Sequence, residues 1–591
     1  MFKIIFSVLA IGVGLAAFAP QQDPPIANFI KPGERVWPPA GADISNSIMK
    51  TLGASDAKAT VIAFFSVKCP VATANAPKLE AVRESYEKKG ARFFFINPNR
   101  GESPADVTDF CKKSGMQGKI VSDINQQFMR HLGVTRTTEM FVIDKDGILQ
   151  YRGAFDDQFG AGTRKPEAQR NYLASALDAV LAGTQVELSL TSARGCLIGR
   201  ASAPEKTAEP VTEPLTYYKD VAPIIHKNCV ECHKPGEVAP MPLTNYEEAA
   251  DVSLMIGEVV DDGRMPPWHA DAEFGKWSNE RRLTKAEKDT LIKWVRSGAP
   301  RGEEPKEKSV ISNQPRPEWL IGKPDLILKV PAAKVPATGV LDYRYVTLDT
   351  GLKNDTWVSS AEVHAGNRTI VHHILVFVKY PKERKREQPP IDGGLDNGYF
   401  ACLVPGERPN EWPADSGKFL PAGAQLLFQI HYTTSGIATE DVSEIGLRFY
   451  KEKPKREVKT RGVNQRKLKI EPNDANSTFT ASWFVAKDIE ILSFMPHMHY
   501  RGKSFRYNLE AQEGEKRTLL YVPNFSFGWQ ATYRAAEPIR VKKASVIRCT
   551  AVYDNSTQNP NNPDPNTTVR WGDQSWDEMM IGYIDYIESD R

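Results

Sequence analysis

The sequence has little of several features that mark specialised classes of protein. Cysteine is scarce, with seven residues scattered through 591, which excludes a small domain held together by disulfides. Acids and bases nearly balance, at a net charge of +3, so no global positive field is available to attract nucleic acid. Beyond the N-terminus, no apolar run is long enough to span a bilayer. What remains is a globular protein of several domains, because 591 residues are too many for one core.

The first 19 residues have the pattern of an export signal. Lys3 precedes an apolar run from Ile4 to Ala16, and small residues surround Ala19. Pro20 is a poor residue directly after a cleavage point, so an uncleaved N-terminal anchor is the alternative. We therefore expect an exported protein, periplasmic or extracellular.

Two segments rich in proline and charge, 202–214 and 298–319, divide the rest of the chain. Residues 20–201 alternate apolar strands with amphipathic helices, which predicts an α/β domain. Residues 215–300 have helical patterning and predict a small all-α domain. The remainder is made of short β-rich runs between turn residues, which predicts two all-β sandwiches, at 320–461 and 462–591.

The middle segment contains the pattern Cys229-x-x-Cys232-His233. Two thiols at this spacing can form thioethers to haem, and the adjacent histidine can bind its iron. Half of a zinc knuckle is the alternative, although no second Cys-x-x-Cys follows. The segment resembles a bacterial cytochrome c domain and so implies haem c. For the sixth iron ligand we favour Met265, which precedes two prolines. The alternatives are His269, Met241 and an open position.

In the first segment, Cys69 follows a buried apolar run at the predicted start of a helix, where the helix dipole lowers a thiol pKa. With the later run "FVIDKDGILQYRG", residues 30–190 resemble the redoxin family of thioredoxins and peroxiredoxins, which implies a thioredoxin-like fold. Two family features are missing. Ala72 stands where a dithiol partner is expected, and Thr138-Glu139 replace a proline.

These departures leave two interpretations of the first domain. One is a thiol peroxidase or disulfide activity at Cys69, with Cys111 or Cys196 as the resolving thiol. The other, which we favour from the sequence, is a redox-inert or interaction domain.

Six of the ten histidines lie in the third segment, most of them in predicted strands. His497 and His499 are two residues apart, and a strand turns side chains at that spacing to one face. His372 and His373 are adjacent and should point to opposite faces, so joint ligation of one ion requires a bulge or a strand end there.

The order of four motifs in this segment is informative: His372-His373, Gln429-x-His431, His497-x-His499 and Asp577-Glu578-Met579. It resembles the copper type II, ascorbate-dependent monooxygenases, the family of peptidylglycine α-hydroxylating monooxygenase and dopamine β-hydroxylase. The resemblance covers residues 325–591 and implies two jelly-roll-like sandwiches with two coppers per chain. It implies one copper at His372, His373 and His431. It implies a second, where oxygen is activated, at His497, His499 and Met579, with Met579 preferred to Met580 because it directly follows Asp-Glu.

Three positions bear on the substrate. Met495 stands where the peptide-amidating enzyme has a carboxylate-binding arginine, and Ile581 where it has an asparagine, whereas Tyr583 matches a tyrosine of its substrate pocket. Peptide amidation is therefore not expected. The disulfides of the animal enzymes are also missing, and Cys402 and Cys549 are expected to be free.

The resulting hypothesis is an exported copper monooxygenase that uses O2 to hydroxylate a C–H bond of a small-molecule or peptide substrate. Electrons from an external donor would enter through the built-in haem. The alternative from another class is a haem c electron-transfer or redox-sensing protein whose sandwiches catalyse nothing.

Overall fold

A computed structural model describes residues 29–36, 57–118, 120–160, 162–199, 215–235, 237, 239–305, 317–387, 398–406, 408–512 and 514–589. The predicted export signal at 1–19 and the first linker at 202–214 lie outside these residues. Within them, no helix is both long and apolar enough to cross a membrane.

The N-terminal region folds as the predicted α/β domain. Its sheet has the spatial strand order Ile120–Ser122, Ala91–Asn97, Ala59–Phe64, Met140–Asp144, Leu149–Gly153. The first three strands are parallel, and Met140–Asp144 runs antiparallel to both of its neighbours. Every side chain of the central strand is buried, because helices cover the sheet. These helices are Pro70–Glu87, Pro104–Ser114, Gln127–Leu132 and Tyr172–Ala182.

The middle segment is helical, as predicted, and packs around the buried rings of Tyr217 and Trp294. Helix Lys285–Arg296 begins at a capping box formed by Thr284 and Glu287. The remaining helices are the π-helical turn Tyr217–Val221 and Ala222–Asn228, Tyr246–Asp251 and Ser253–Asp261.

The C-terminal region is β-rich and contains several sheets. In its first half, one sheet has four strands, in the order Tyr399–Leu403, Val371–Lys379, Gln425–Tyr432, Arg344–Asp349. It shares an apolar core with part of a longer sheet. That part consists of Leu326–Lys329, Glu444–Phe449, Thr356–His364, Asn410–Glu411 and Ser416–Leu420. Two short strands, Ala333–Val335 and Thr439–Asp441, pair beside it.

The second half has its own four-stranded sheet, in the order Ser477–Phe484, Val546–Tyr553, Gly502–Glu510, Lys516–Val522. The long sheet covers it with Tyr533–Val541, Ile489–His497, Ile581–Glu588 and Arg456–Asn464. Lys469–Ile470 pairs with Val569–Arg570. Strand Arg456–Asn464 also pairs with Ser416–Leu420, so the long sheet joins the two halves. The predicted boundary between 461 and 462 falls inside this strand.

The three segments contact one another. In the α/β domain, Arg164 donates to the carbonyl oxygen of Thr434 at 2.9 Å. In the helical segment, the Ser278 amide donates to the Arg534 carbonyl oxygen at 2.9 Å, and Trp277 packs into the core of the second half. The β-rich region therefore contacts both of the other segments.

Candidate metal centre and thiol site

The first histidine cluster, consisting of His372, His373 and His431, depends on an irregularity in strand Val371–Lys379. Val371 pairs with Tyr432 and His373 with His431, so the register shifts at His372. His372 is the extra residue of a β-bulge, which changes the direction of its side chain. The three histidines consequently offer ligand atoms within 4.8 Å of one another. The bulge that joint ligation requires is present.

The rings of the first cluster are arranged to offer lone pairs. His372 Nδ1 lies 3.0 Å from His373 Nδ1, close to the roughly 3.3 Å expected of two nitrogens bound to one ion at a tetrahedral angle. His373 Nε2 and His431 Nδ1 are buried without a hydrogen-bond partner among the described residues. Burial lowers the pKa of His372 to about 4 and the pKa values of the other two further below their usual range. Three neutral, converging imidazoles fit copper.

The second histidine pair departs from the predicted strand geometry. Strand Ile489–His497 ends at His497, and His499 lies in the following turn. The strand stops because the backbone N–H groups of His499 and Arg501 donate to the Glu578 carboxylate, at 2.8 and 2.6 Å, instead of to a neighbouring strand. The rings of His497 and His499 are nevertheless adjacent, with centroids 5.2 Å apart. A turn bound by a carboxylate, not strand alternation, brings them together.

Both rings of this pair are oriented by hydrogen bonds at Nδ1. His497 Nδ1 lies 2.5 Å from Gln530 Oε1, and Gln530 Nε2 donates to the Phe527 carbonyl oxygen, which fixes the orientation of the amide. His499 Nδ1 lies 3.2 Å from the Asp577 carbonyl oxygen, and its Nε2 is buried without a partner among the described residues. Burial lowers the pKa of His497 to about 4 and that of His499 well below its usual range. In each ring Nδ1 therefore carries the proton, and Nε2 keeps a lone pair that can bind a metal ion, as in most metal-binding histidines.

Met579 is positioned by the strand register. His497 pairs with Ile581 across the antiparallel strands, and Met579 lies two residues before Ile581. Met579 is buried in the apolar layer between the two halves, whereas Met580 is buried in the core of the second half. The different burial of the two methionines agrees with the choice of Met579. A thioether there would complete the second cluster, which consists of His497, His499 and Met579.

Phe527 lies between the two clusters. Its ring centroid is 5.3 Å from that of His372 and 5.9 Å from those of both His431 and His499. Tyr343 packs on the other side of His431, at 4.7 Å between ring centroids. Sequence reasoning missed Phe527, Gln530 and Tyr343, because they lie in irregular segments without periodicity or a metal-binding motif.

The residues predicted to bear on substrate lie in the apolar layer between the two halves. Tyr583 stacks on Tyr399 with ring centroids 4.6 Å apart, and the Tyr399 hydroxyl donates to Met495 Sδ at 3.2 Å. Ile581 is buried in the same layer. These side chains pack the halves together, and contact of Tyr583 with substrate stays a prediction. Cys402 and Cys549 are buried in different halves, and neither is in a disulfide.

The Cys229-x-x-Cys232-His233 motif forms a tight turn after helix Ala222–Asn228. The amides of both Cys232 and His233 donate to the Cys229 carbonyl oxygen, which closes the turn. His233 Nδ1 lies 3.0 Å from the Met241 carbonyl oxygen, so Nδ1 carries the proton and Nε2 is available to iron. Neither thiol is in a disulfide, and burial raises the pKa of Cys229 to about 12. These residues fit covalently attached haem.

The candidates for the sixth haem ligand are placed differently. The Met241 carbonyl oxygen lies 3.0 Å from His233 Nδ1. Met265 is half-buried after helix Ser253–Asp261, with its amide bonded to the Val259 carbonyl oxygen. His269 has a buried Nε2 without a partner among the described residues. Met265 as the sixth ligand stays a prediction, with His269, Met241 and an open position as its alternatives.

Cys69 caps helix Pro70–Glu87 and lies beside Cys196. The Cys196 amide is 3.4 Å from Cys69 Sγ, and the Cys69 amide donates to Ser66 Oγ at 3.1 Å. A hydrogen bond from the Cys196 thiol lowers the pKa of Cys69 to about 6, although burial acts in the opposite direction. Burial raises the pKa of Cys111, which lies on helix Pro104–Ser114. Of the two proposed resolving thiols, Cys196 is the one in contact with Cys69.

Comparisons with known proteins identify the N-terminal region. Residues 12–166 match the redoxin family. A hypothetical protein from Sinorhizobium meliloti is 26% identical, covering 29% of this chain and 94% of its own, at a TM-score of 0.24. An uncharacterised conserved protein from Geobacillus kaustophilus is 25% identical. The match covers 30% of this chain and 89% of that protein, at a TM-score of 0.23. A secreted disulfide oxidoreductase from Mycobacterium tuberculosis is 19% identical. The match covers 22% of this chain and 86% of that protein, at a TM-score of 0.17. No curated protein matches the sequence. The N-terminal region is a thioredoxin-like redoxin domain.

Proposed function

We propose that the protein is an exported copper-dependent monooxygenase that hydroxylates a C–H bond. The observation that carries the proposal is the β-bulge at His372, which brings the ligand atoms of His372, His373 and His431 within 4.8 Å of one another. A bulge inside a buried strand costs a ladder hydrogen bond, so its presence here agrees with joint ligation of an ion. The oriented lone pairs of His497 and His499 provide a second site of the same kind.

The protein's contribution is to hold the ligand side chains in position before an ion binds. Gln530 and the Asp577 carbonyl oxygen keep the Nδ1 protons of the second cluster in place, and Glu578 fixes the backbone that carries His499. Bound copper would supply one-electron chemistry with dioxygen, and imidazoles with one thioether suit both of its oxidation states. Met495 provides no charge for a peptide carboxylate, so peptide amidation stays outside the proposal.

Electron entry through haem is part of the proposal. Cys229 and Cys232 would hold the haem covalently, with His233 as its proximal ligand, and the haem would supply a one-electron store. A cavity of about 120 Å³ is lined by both Cys232 and His372, so the haem-binding motif and the first histidine cluster border the same space. This neighbourhood supports the proposal that Cys229, Cys232 and His233 would hold a one-electron store beside the first cluster, which an external donor would supply with electrons.

Metal analysis tests the proposal most directly. The full chain should carry two coppers and one haem, and O2 uptake with a reductant and substrate should require copper. His497→Ala should remove one copper and abolish copper-dependent O2 uptake. A protein with haem and no copper would instead favour the electron-transfer alternative. In stopped flow, reduced haem that is oxidised no faster when copper and O2 are present would remove the electron-entry step.

A second candidate function is thiol redox chemistry in the redoxin domain, favoured by the 3.4 Å contact between the Cys196 amide and Cys69 Sγ. A peroxide would oxidise the Cys69 thiolate to sulfenic acid, with release of water or an alcohol. The Cys196 thiol would then displace a second water to form a disulfide. This view makes Cys69 active, in contrast to the inert domain that the missing CxxC partner favours.

The pKa of Cys69 provides its test. Because it lies near 6, below the ordinary thiol value, the thiolate should be present at neutral pH and lost as the pH falls through 6. Thiolate absorbance should show this midpoint in the wild type and lose it in Cys69→Ser. In Cys196→Ser the hydroxyl replaces the thiol as hydrogen-bond donor, so the midpoint pH of Cys69 should stay low. In Cys196→Ala no donor remains, so the midpoint pH should rise. A wild-type midpoint above 8 would remove this candidate.

A further inference from the structure

The largest opening beside the first histidine cluster is a cavity of about 310 Å³. Its walls come from both halves of the β-rich region and from the redoxin domain. His372, His431, Tyr500 and Phe527 line it from the β-rich region, and residues 159–160 and 162–166 line it from the redoxin domain. The volume is within the range of small-molecule sites.

Two charged residues of the redoxin domain line this cavity, Arg164 and Lys165, and only Arg164 lacks an ion-pair partner among the described residues. Arg164 is half-buried among the lining residues, and its two terminal nitrogens donate to the carbonyl and hydroxyl oxygens of Thr434, each at 2.9 Å. Among the described residues no carboxylate forms an ion pair with it, and no aspartate or glutamate lines the cavity. A guanidinium has five N–H donors, so donors remain after the two bonds to Thr434.

The neighbouring lysines of the redoxin domain are already neutralised. Lys165 Nζ lies 2.8 Å from the Asp157 carboxylate, and Lys78 Nζ lies 2.5 Å from that of Asp156. The Gly160 amide donates to the Thr163 carbonyl oxygen at 2.9 Å, just before Arg164. Arg164 is therefore held in place with its charge uncompensated. Burial lowers its pKa, and its charge contributes to the low pKa values of His372 and His431.

We propose that this cavity binds a small organic monocarboxylate, with the carboxylate paired to Arg164 and an apolar body against Phe527 and Leu341. A single uncompensated cation fits one negative charge, and a desolvated arginine pairs well with a carboxylate. The wall residues Phe159, Val340 and Trp576 add apolar surface. That the bound carboxylate is the substrate rests on the proposed monooxygenase function; the binding itself does not.

The redoxin domain acquires a specific role from this site. The position that a carboxylate-binding arginine would occupy in the β-rich region is filled by the buried Met495. The positive charge enters instead from a separate domain, on a loop that docks against Thr434. Arg164 thus selects the charge of a ligand bound beside the first histidine cluster, and it is contributed in cis by a domain of unrelated fold.

Calorimetry on the copper-free full chain tests the proposal without turnover and without binding of the probe to copper. The probe is 3-phenylpropionate, and the neutral control is 3-phenylpropanamide. The carboxylate should bind one to one and at least tenfold more tightly than the amide. Arg164→Gln should weaken it about 10- to 100-fold, the loss expected for a hydrogen-bonded charge. Arg170→Gln, an exposed arginine outside the cavity, should bind as the wild type does.

Two further comparisons separate charge recognition from domain docking. Thr434→Val removes a hydrogen-bond acceptor of Arg164 but keeps the charge, so it should retain preference for the carboxylate over the amide. Equal binding of the two probes by the wild type would overturn the proposal, and this readout does not depend on how well any variant folds. If the protein carries two coppers and consumes O2 but does not bind the carboxylate, the proposed carboxylate site is wrong and the monooxygenase function stands. Binding without copper-dependent O2 uptake would leave the site standing and remove the monooxygenase function.

Discussion

The two histidine clusters lie on either side of Phe527, yet their rings are oriented in different ways. In the second cluster, Gln530 and the Asp577 carbonyl oxygen each bind one Nδ1. In the first cluster the Nδ1 atoms of His372 and His373 face each other at 3.0 Å, and Tyr343 and Phe527 supply ring contacts. One cluster is oriented by hydrogen bonds from its surroundings and the other by a bulge and packing.

The difference has a chemical consequence. Hydrogen bonds at Nδ1 fix both the tautomer and the ring direction before any ion arrives, which preorganises the second cluster. The first cluster keeps freedom in which nitrogen carries each proton, and binding an ion there would have to select one arrangement.

Removing a ligand should produce the largest effect and test whether the clusters are independent. His499→Ala and His373→Ala should each lower the copper content from two to one per chain, because three ligands become two. Equilibrium dialysis followed by metal analysis measures the content. His364→Ala is the control, since His364 lies outside both clusters with Nε2 2.9 Å from the Glu362 carboxylate. Loss of both coppers in either ligand variant would show one shared site instead of two.

Gln530→Leu should have the next largest effect, confined to the second cluster. Without the amide oxygen, His497 loses the group that fixes its tautomer, and copper affinity there should fall about 10- to 100-fold. Gln429→Leu is matched to it. Gln429 is also buried, but its amide donates to the Tyr345 hydroxyl at 2.9 Å and not to a histidine. Competition with a copper chelator reads both affinities, and an equal loss in the two variants would contradict the distinction between the clusters.

Much of the fold follows from sequence patterns because those patterns are local. The apolar run before Cys69 forms the fully buried strand Ala59–Phe64, and the alternation of strands and helices in residues 20–201 forms a sheet covered by helices. The demand for a bulge at His372 also followed from local geometry, since adjacent strand residues face opposite ways. Features that depend only on neighbouring residues can therefore be predicted from the sequence.

The remaining features depend on contacts distant in sequence. Glu578 ends the strand before His499 from 79 residues away, and nothing in the local pattern near His499 indicates that. Cys196 reaches Cys69 across 127 residues, so the choice between Cys111 and Cys196 could not be made from spacing. In the sequence, nothing distinguishes Arg164 from a surface arginine. Its contact with Thr434, 270 residues away, is visible only in the structure.

Tyr343→Phe should produce the smallest effect and sharpen the comparison from the other side. The Tyr343 hydroxyl lies 3.0 Å from Ser575 Oγ in a buried contact, while its ring packs on His431. Removing only the hydroxyl should lower the free energy of unfolding by about 0.5–1.5 kcal/mol. Because the ring stays, the copper affinity of the first cluster should change less than threefold. Denaturant titration and chelator competition measure the two quantities. A tenfold loss of copper affinity would mean that the first cluster, like the second, depends on hydrogen bonds around its ligands, and the contrast between packing and hydrogen bonding would no longer hold.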